Sequence, residues 1–93
     1  MRRGVFITFE GGEGLGKSTQ ISLLAKQLRR LGAKVIVTRE PGGTPEAEKL
    51  RRILKEEPLS PLAEVFVVEA SRAEHVEKLI EPALKRGMIV LCD

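Results

Sequence analysis

Ninety-three residues, 42% of them hydrophobic, suffice for one small domain with a modest core, and a second domain is not expected. Sixteen Lys and Arg against thirteen Asp and Glu leave a net charge of +3, which suits a handler of anionic nucleotides and equally an ordinary solvated surface. The basic pairs Arg2-Arg3, Arg29-Arg30 and Arg51-Arg52 are dispersed, and three Phe with no Trp or Tyr offer little stacking surface, so nucleic acid is not an expected partner.

In chain order, the first apolar run is interrupted by Thr8 and ends at Glu10, too short for a signal peptide or a membrane span, and a soluble protein with no membrane partner is expected. Its β-branched content reads as a strand over 5–10. Directly after it comes Gly11-Gly12-Glu13-Gly14-Leu15-Gly16-Lys17-Ser18, which fits the phosphate-loop pattern G-x-x-x-x-G-K-[ST]. Its glycines let successive backbone N–H groups turn inward on a phosphate. Lys17 supplies a compact cation, and Ser18 a hydroxyl for Mg²⁺. Gly11 through Ser18 and the adjoining Thr19 are therefore candidate nucleotide-binding residues, with a plain Gly-rich turn as the alternative.

A helix follows, beginning inside the loop with its N-terminal dipole aimed at phosphate. Ile21, Leu24, Ala25, Leu28 and Leu31 keep the spacing of one buried face, and Gly32 stands where a left-handed stop belongs. A second strand is expected over 34–38, and a short helix over 46–55 with Ala47, Leu50, Ile53 and Leu54 apolar. Between them, Thr38-Arg39-Glu40-Pro41-Gly42-Gly43-Thr44 builds a tight loop that presents Arg39, either as a cation for phosphate or as an incidental ion-pair partner.

From Ser60 onward, Val65-Phe66-Val67-Val68 has the composition of a strand. Ser60 is nevertheless a cap, Pro61 suits the first helical position, and no Gly or Pro intervenes before Pro82, so the segment reads as helix. Val76, Leu79, Ile80 and Ala83 continue its apolar face, with a kink or break expected near Pro82 and a stop at Gly87. The last strand, over 88–92, ends in Asp93, which either holds Mg²⁺ through water opposite the Ser18 hydroxyl or simply closes a strand at the surface. Cys92, the one cysteine, reads as a small buried residue and fits a reducing, cytoplasmic setting.

The order β-α-β-α-α-β implies an α/β fold with a parallel sheet flanked by helices, and ligands at the carboxyl ends of the strands, where Gly11, Arg39 and Asp93 fall.

Together these segments resemble the thymidylate kinase (dTMP kinase) family. The resemblance is carried by Phe9-Glu10-Gly11-Gly12-Glu13-Gly14, by Thr38 through Thr44, by Ser71-Arg72-Ala73-Glu74-His75-Val76 and by Pro82-Ala83-Leu84. It implies a P-loop nucleoside monophosphate kinase fold and transfer of the ATP γ-phosphoryl group to dTMP with Mg²⁺. Residue by residue, it implies ATP phosphates held by Lys17 and its loop, Glu13 at the sugar 3′-hydroxyl of dTMP, Arg72 on thymine, and the loop around Arg39 lining the monophosphate site. Lys17 and Arg39 are then the charge-neutralising catalytic groups. A homodimer through helices that include 65–84 is also implied.

A carboxylate accepts a hydrogen bond from a sugar hydroxyl and repels phosphate, which agrees with Glu13 serving the acceptor nucleoside. Arg72 has the alternative of a surface ion pair with Glu69 or Glu74, and His75 is assigned no catalytic role.

The sequence also departs from the family pattern. Val68 stands where the family usually stacks a Phe on the base, which weakens stacking worth about 1–3 kcal/mol. Leu15 replaces a small residue. The Arg that follows the strand Asp in the family, two further strands and a mobile lid lie beyond Asp93 in the family pattern, and Gly14 marks the subclass whose cations come from the lid. The expectation is an N-terminal portion, a single partial domain over 1–93, with little activity as an isolated chain. Rival readings are a kinase for another nucleoside monophosphate, a non-catalytic nucleotide-binding module, and a folding fragment with an unpaired edge strand.

Overall fold

In the computed structural model, which describes residues 3–12, 14 and 16–93, three strands and four helices follow the order β1 (Val5–Thr8), α1 (Lys17–Arg30), β2 (Val35–Thr38), α2 (Pro45–Glu56), α3 (Pro61–His75), α4 (Glu81–Lys85) and β3 (Ile89–Cys92). A π-helical turn, Val76–Ile80, joins α3 to α4. The sheet is parallel throughout, in the order β1-β3-β2. Ile89 of β3 stands opposite both Val5 and Val35, and Cys92 opposite both Thr8 and Thr38. Parallel neighbours need long crossovers, which the helices supply. The strands are a residue or two shorter than the apolar runs suggested.

The chain divides into two compact units, one holding the residues up to Thr38 together with Pro82–Asp93, the other Arg39–Glu81. In the first, α1 lays Ile21 and Ala25 on Val35 and Leu91, and Ile7, Phe9, Leu24, Leu28, Ala33 and Ile89 complete that core. The central strand is the most deeply buried, with Val90, Leu91 and Cys92 all shielded from solvent. Position explains this, since β3 has a neighbour on both sides.

Leu31, assigned from its spacing to the buried face of α1, is instead 83% exposed. The helix ends one residue earlier, at Arg30. Gly32 at φ +92° then folds the chain back, with Gly32 N–H donating to Arg29 O and Ala33 N–H to Leu28 O, both at 3.0 Å. This is a Schellman stop, in which the residue past the glycine packs beside the one three from the end. Ala33 and Leu28 fill the core in place of Leu31.

In the second unit, Thr44 caps α2 by accepting from Ala47 N–H at 3.1 Å, and Ser60 caps α3 by accepting from Ala63 N–H at 3.3 Å. Pro45 and Pro61 occupy the first positions, where a missing N–H is harmless. The run 65–68 is helical, as the cap and the absence of a breaker required. α2 packs on α3 through small residues: Ala47 and Ser71 are both fully buried, and the Ser71 hydroxyl donates to the Ala47 carbonyl at 3.4 Å.

The irregularity expected near Pro82 is a local widening of the helix. Glu81 N–H reaches back five residues to the Val76 carbonyl. Pro82 has no N–H for the carbonyl four residues before it, and its ring crowds that turn, so an extra residue per turn relieves both problems.

Candidate functional site

The sequence-predicted site residues divide between the two units. In the first, the chain leaves β1 at Thr8, and the glycine segment leads to α1. Gly16 is the N-cap of α1 at φ +75°, without a side-chain cap, and the first turn contains no acidic residue. The amides of that turn and the helix dipole are thus uncompensated by any acidic side chain of their own turn. A methyl group built on Gly12, Gly14 or Gly16 would meet no described atom within 4 Å. Glu13 and Leu15 lie outside the described residues. Ser18 and Thr19 sit exposed in the first turn of α1.

Lys17 bends back over the loop. Its Nζ donates to the Gly11 carbonyl at 3.1 Å and lies 2.6 Å from Asp93 Oδ1. Asp93 is held in turn by its backbone N–H, which donates to the Thr38 carbonyl at 3.0 Å. The structure thereby brings together two of the predicted residues, seventy-six positions apart in sequence, at the carboxyl end of the sheet. The donor set fits a phosphate on the loop side: an amide-rich helix start, glycines with no described atom crowding them, and an ammonium. It also fits a hard cation on the other side, through a carboxylate and a hydroxyl oxygen. Among the described residues, no cluster of three or more His, Cys, Asp and Glu forms a self-sufficient metal site, so a cation here would take ligands from phosphate and water.

In the second unit, the loop that opens with Arg39 is fastened to both neighbouring helices. Arg39 forms a two-point contact with Glu48 of α2, Nη2 to Oε1 at 2.6 Å and Nε to Oε2 at 3.2 Å. The Gly43 N–H donates to the same Oε2 at 2.9 Å. The Arg39 hydrogen bonds, then that of Gly43, hold the Glu48 carboxyl down to a pKa of about 2. Gly42 adopts φ +138°, and a Cβ there would come within 2.1 Å of Glu48 Oε2, so only glycine lets the carboxylate close over this turn. Arg51 donates to the Pro41 carbonyl at 2.9 Å.

On the α3 side, Glu40 is bound by two residues at once. Its Oε1 accepts from Arg72 Nε at 2.7 Å, and its Oε2 from His75 Nδ1 at 2.5 Å. Arg72 also approaches Glu69, Nη1 to Oε1 at 3.7 Å, so the surface ion pair weighed from sequence exists beside the longer-range one. Val68, one turn before Arg72 on α3, is half-buried. His75 proves to be fully buried.

Sequence reasoning gave Glu40 and Glu48 no role of their own and His75 no catalytic one, and none of their contacts was foreseen. Glu40 lay inside the quoted loop motif, and Glu48 sits nine residues after Arg39 on the first turn of a helix. No local spacing signals either pairing.

A family model described as thymidylate kinase matches residues 9–93. The thymidylate kinase of Bartonella quintana (strain Toulouse) is 55% identical over 93 residues, covering 97% of this chain and 44% of the relative. That of Geobacter sp. (strain M21) is 56% identical, covering 97% and 41%. That of Caulobacter vibrioides is 52% identical over 96 residues, covering 100% and 46%. The chain thus spans less than half the length of these relatives. Among solved structures, the crystal structure of thymidylate kinase from Ehrlichia chaffeensis superimposes with a TM-score of 0.88 at 44% identity, over 98% of this chain and 53% of that one.

Proposed function

Since the chain belongs to the thymidylate kinase family, we propose that it carries the phosphate loop and acceptor-site residues of an ATP-dependent dTMP kinase, which passes the γ-phosphoryl group of ATP to dTMP and yields ADP and dTDP. The observation that carries this reading is the convergence of Lys17 and Asp93, 2.6 Å apart, beside the uncapped start of α1.

The dTMP phosphate has a second pKa of about 6, so its attacking oxygen is already anionic at neutral pH. No general base is required, and the work of the protein is alignment and charge neutralisation. Residues 11–19 receive the ATP phosphates on backbone amides, and the Glu13 side chain is left for the acceptor. Lys17 exchanges the Asp93 carboxylate for phosphate oxygen, and the released carboxylate becomes available, with the Ser18 hydroxyl, to hold Mg²⁺. When bound, Mg²⁺ would offset the charge shared by the β- and γ-phosphates. Glu13 accepts from the acceptor's 3′-hydroxyl, Arg39 lines the monophosphate site, and Val68 and Arg72 face the base.

Residues 1–93 form a single partial P-loop kinase domain of a cytoplasmic protein that works as a homodimer. Exposed Leu62, Val65 and Phe66, which share one side of α3 by their spacing, form the dimer face.

Calorimetric titration of the chain with Mg²⁺-ATP and with dTMP tests the reading. Micromolar to submillimolar binding of both is expected, and a chain that binds neither overturns it. The aliphatic Val68 favours one second reading, a different nucleoside monophosphate as acceptor, so the same titration with dUMP, dCMP and dGMP decides which base is taken.

A further inference from the structure

A buried-to-surface relay of three side chains occupies the second unit. His75 is wholly buried, Glu40 is about one-fifth exposed and the Arg72 side chain is 54% exposed. His75 and Arg72 stand three residues apart on α3 and so share a side of the helix. Glu40 arrives from a loop more than thirty residues away and places one oxygen on each.

An ionised carboxylate can only accept, so the His75 Nδ1 carries the hydrogen, and both Glu40 oxygens are committed in fixed directions. Arginine has a single Nε–H. Once that hydrogen points at Glu40 Oε1, the guanidinium plane can no longer rotate about its last side-chain bonds. A fully buried imidazole has little rotational freedom of its own, so the rigidity of the interior is passed through Glu40 to the partly exposed Arg72 head.

We propose that Glu40 and His75 are positioning residues that fix the plane of the Arg72 guanidinium and thereby set its choice of base. The proposal rests on the reading of Arg72 as the base contact. A guanidinium only donates, so it suits the carbonyl oxygen at position 4 of thymine and opposes the amino group that cytosine carries there. That discrimination requires a held direction, because a freely turning arginine finds another acceptor on either base.

The test measures the affinities of the chain for dTMP, dCMP and Mg²⁺-ATP, together with the arginine Nε–H resonances in the ¹⁵N spectrum, for wild type and five variants. Glu40→Gln keeps the shape and weakens both charge-assisted bonds. His75→Leu removes the donor, and His75→Asn restores a donor near the Nδ1 position. Arg72→Lys and Arg72→Ala identify the resonance and the base contact.

Expected are a slowly exchanging Arg72 Nε–H in wild type that exchanges faster in Glu40→Gln and His75→Leu, and a fall of about tenfold in the dTMP to dCMP affinity ratio in both. His75→Asn should recover the ratio, and ATP affinity should stay within about twofold throughout. If Arg72→Ala collapses the ratio while Glu40→Gln leaves it intact, the positioning role is overturned and the base contact stands. If Arg72→Ala leaves the ratio unchanged, the base contact itself fails and the selectivity role falls with it. Should His75→Leu not fold, Glu40→Gln alone decides.

Discussion

Lys17 Nζ lies 2.6 Å from Asp93 Oδ1, so the cation of the glycine loop and the acid that ends the central strand are each other's counter-ion. Both side chains are about a third exposed or less, and water still screens such a pair to roughly 0–1 kcal/mol. Under the proposed function its importance is competitive: phosphate would have to displace Asp93 from Lys17, and a cation Lys17 from Asp93.

Asp93→Asn therefore changes the unfolding free energy by less than about 1 kcal/mol, yet tightens ATP binding several-fold in EDTA and abolishes the further gain on adding Mg²⁺. Lys17→Met weakens ATP binding at least about tenfold with or without the metal, as loss of a charge-assisted contact does. Calorimetry in the two buffers separates these cases. An Asp93→Asn chain with unaltered affinity in both would refute the exchange.

Glu48 links folding to acid. Its carboxyl titrates at about 2 in the folded chain, lowered from an ordinary 4.5, first by the Arg39 hydrogen bonds and then by the Gly43 amide. A depressed folded-state pKa stabilises above the unfolded value, and that contribution is lost as pH falls from about 4.5 through about 2. Solvent screening at this partly exposed loop leaves about 1 kcal/mol of it. Urea unfolding at pH 6 should find Glu48→Gln less stable than wild type by that amount, and the difference should shrink toward zero by pH 2. A gap independent of pH would mean that packing, not charge, holds the loop.

How far the fold could be read from sequence is settled residue by residue. The helical state of 65–68 was legible despite its strand-like composition because Ser60 and Pro61 start a helix and nothing stops it before Pro82. The place of Lys17 at the start of α1 was legible because a local pattern of glycines precedes it, and that of Asp93 at the carboxyl end of β3 because it ends an apolar run. Leu31 was misplaced because spacing extends a helix that hydrogen bonding to Leu28 and Arg29 has already ended. The binding of Glu40 by Arg72 and His75 was illegible for another reason: contacts across thirty-two and thirty-five residues depend on how α3 packs against the loop, and no local signal encodes that. The π turn before Pro82 lies between these cases, since proline announces a disturbance without saying which form it takes.

Gly4 provides a packing test of the first unit. A Cβ on Gly4 would stand 1.8 Å from the Met88 carbonyl oxygen, and the Gly4 N–H also donates to Leu84 O at 2.8 Å. Backbone cannot swing aside as a side-chain end can, so Gly4→Ala must separate the start of β1 from the turn before β3. A loss of about 2 kcal/mol or more is expected in denaturant unfolding. Gly12→Ala meets no described atom and should cost less than about 1 kcal/mol, so equal losses at the two positions would contradict the close approach at Gly4.

The face of α3 formed by Leu62, Val65 and Phe66 tests self-association. These residues are 67%, 55% and 66% exposed, and their spacing places them together on one side of α3. Leaving such a stripe in water costs roughly 25 cal/mol per Å² of apolar surface, which a second copy of the same stripe would recover under two-fold symmetry. Sedimentation equilibrium should find a concentration-dependent dimer for the wild-type chain. Phe66→Glu buries one carboxylate per subunit against its symmetry mate, and the dimer dissociation constant should rise at least about a hundredfold. A conservative Phe66→Leu should retain the dimer with only a modest loss, and the helical signal of both variants should match wild type because position 66 contributes little to the core of its own subunit. A wild-type chain that stays monomeric at high concentration, or a Phe66→Glu chain that still dimerises, would remove α3 from consideration as the dimer face.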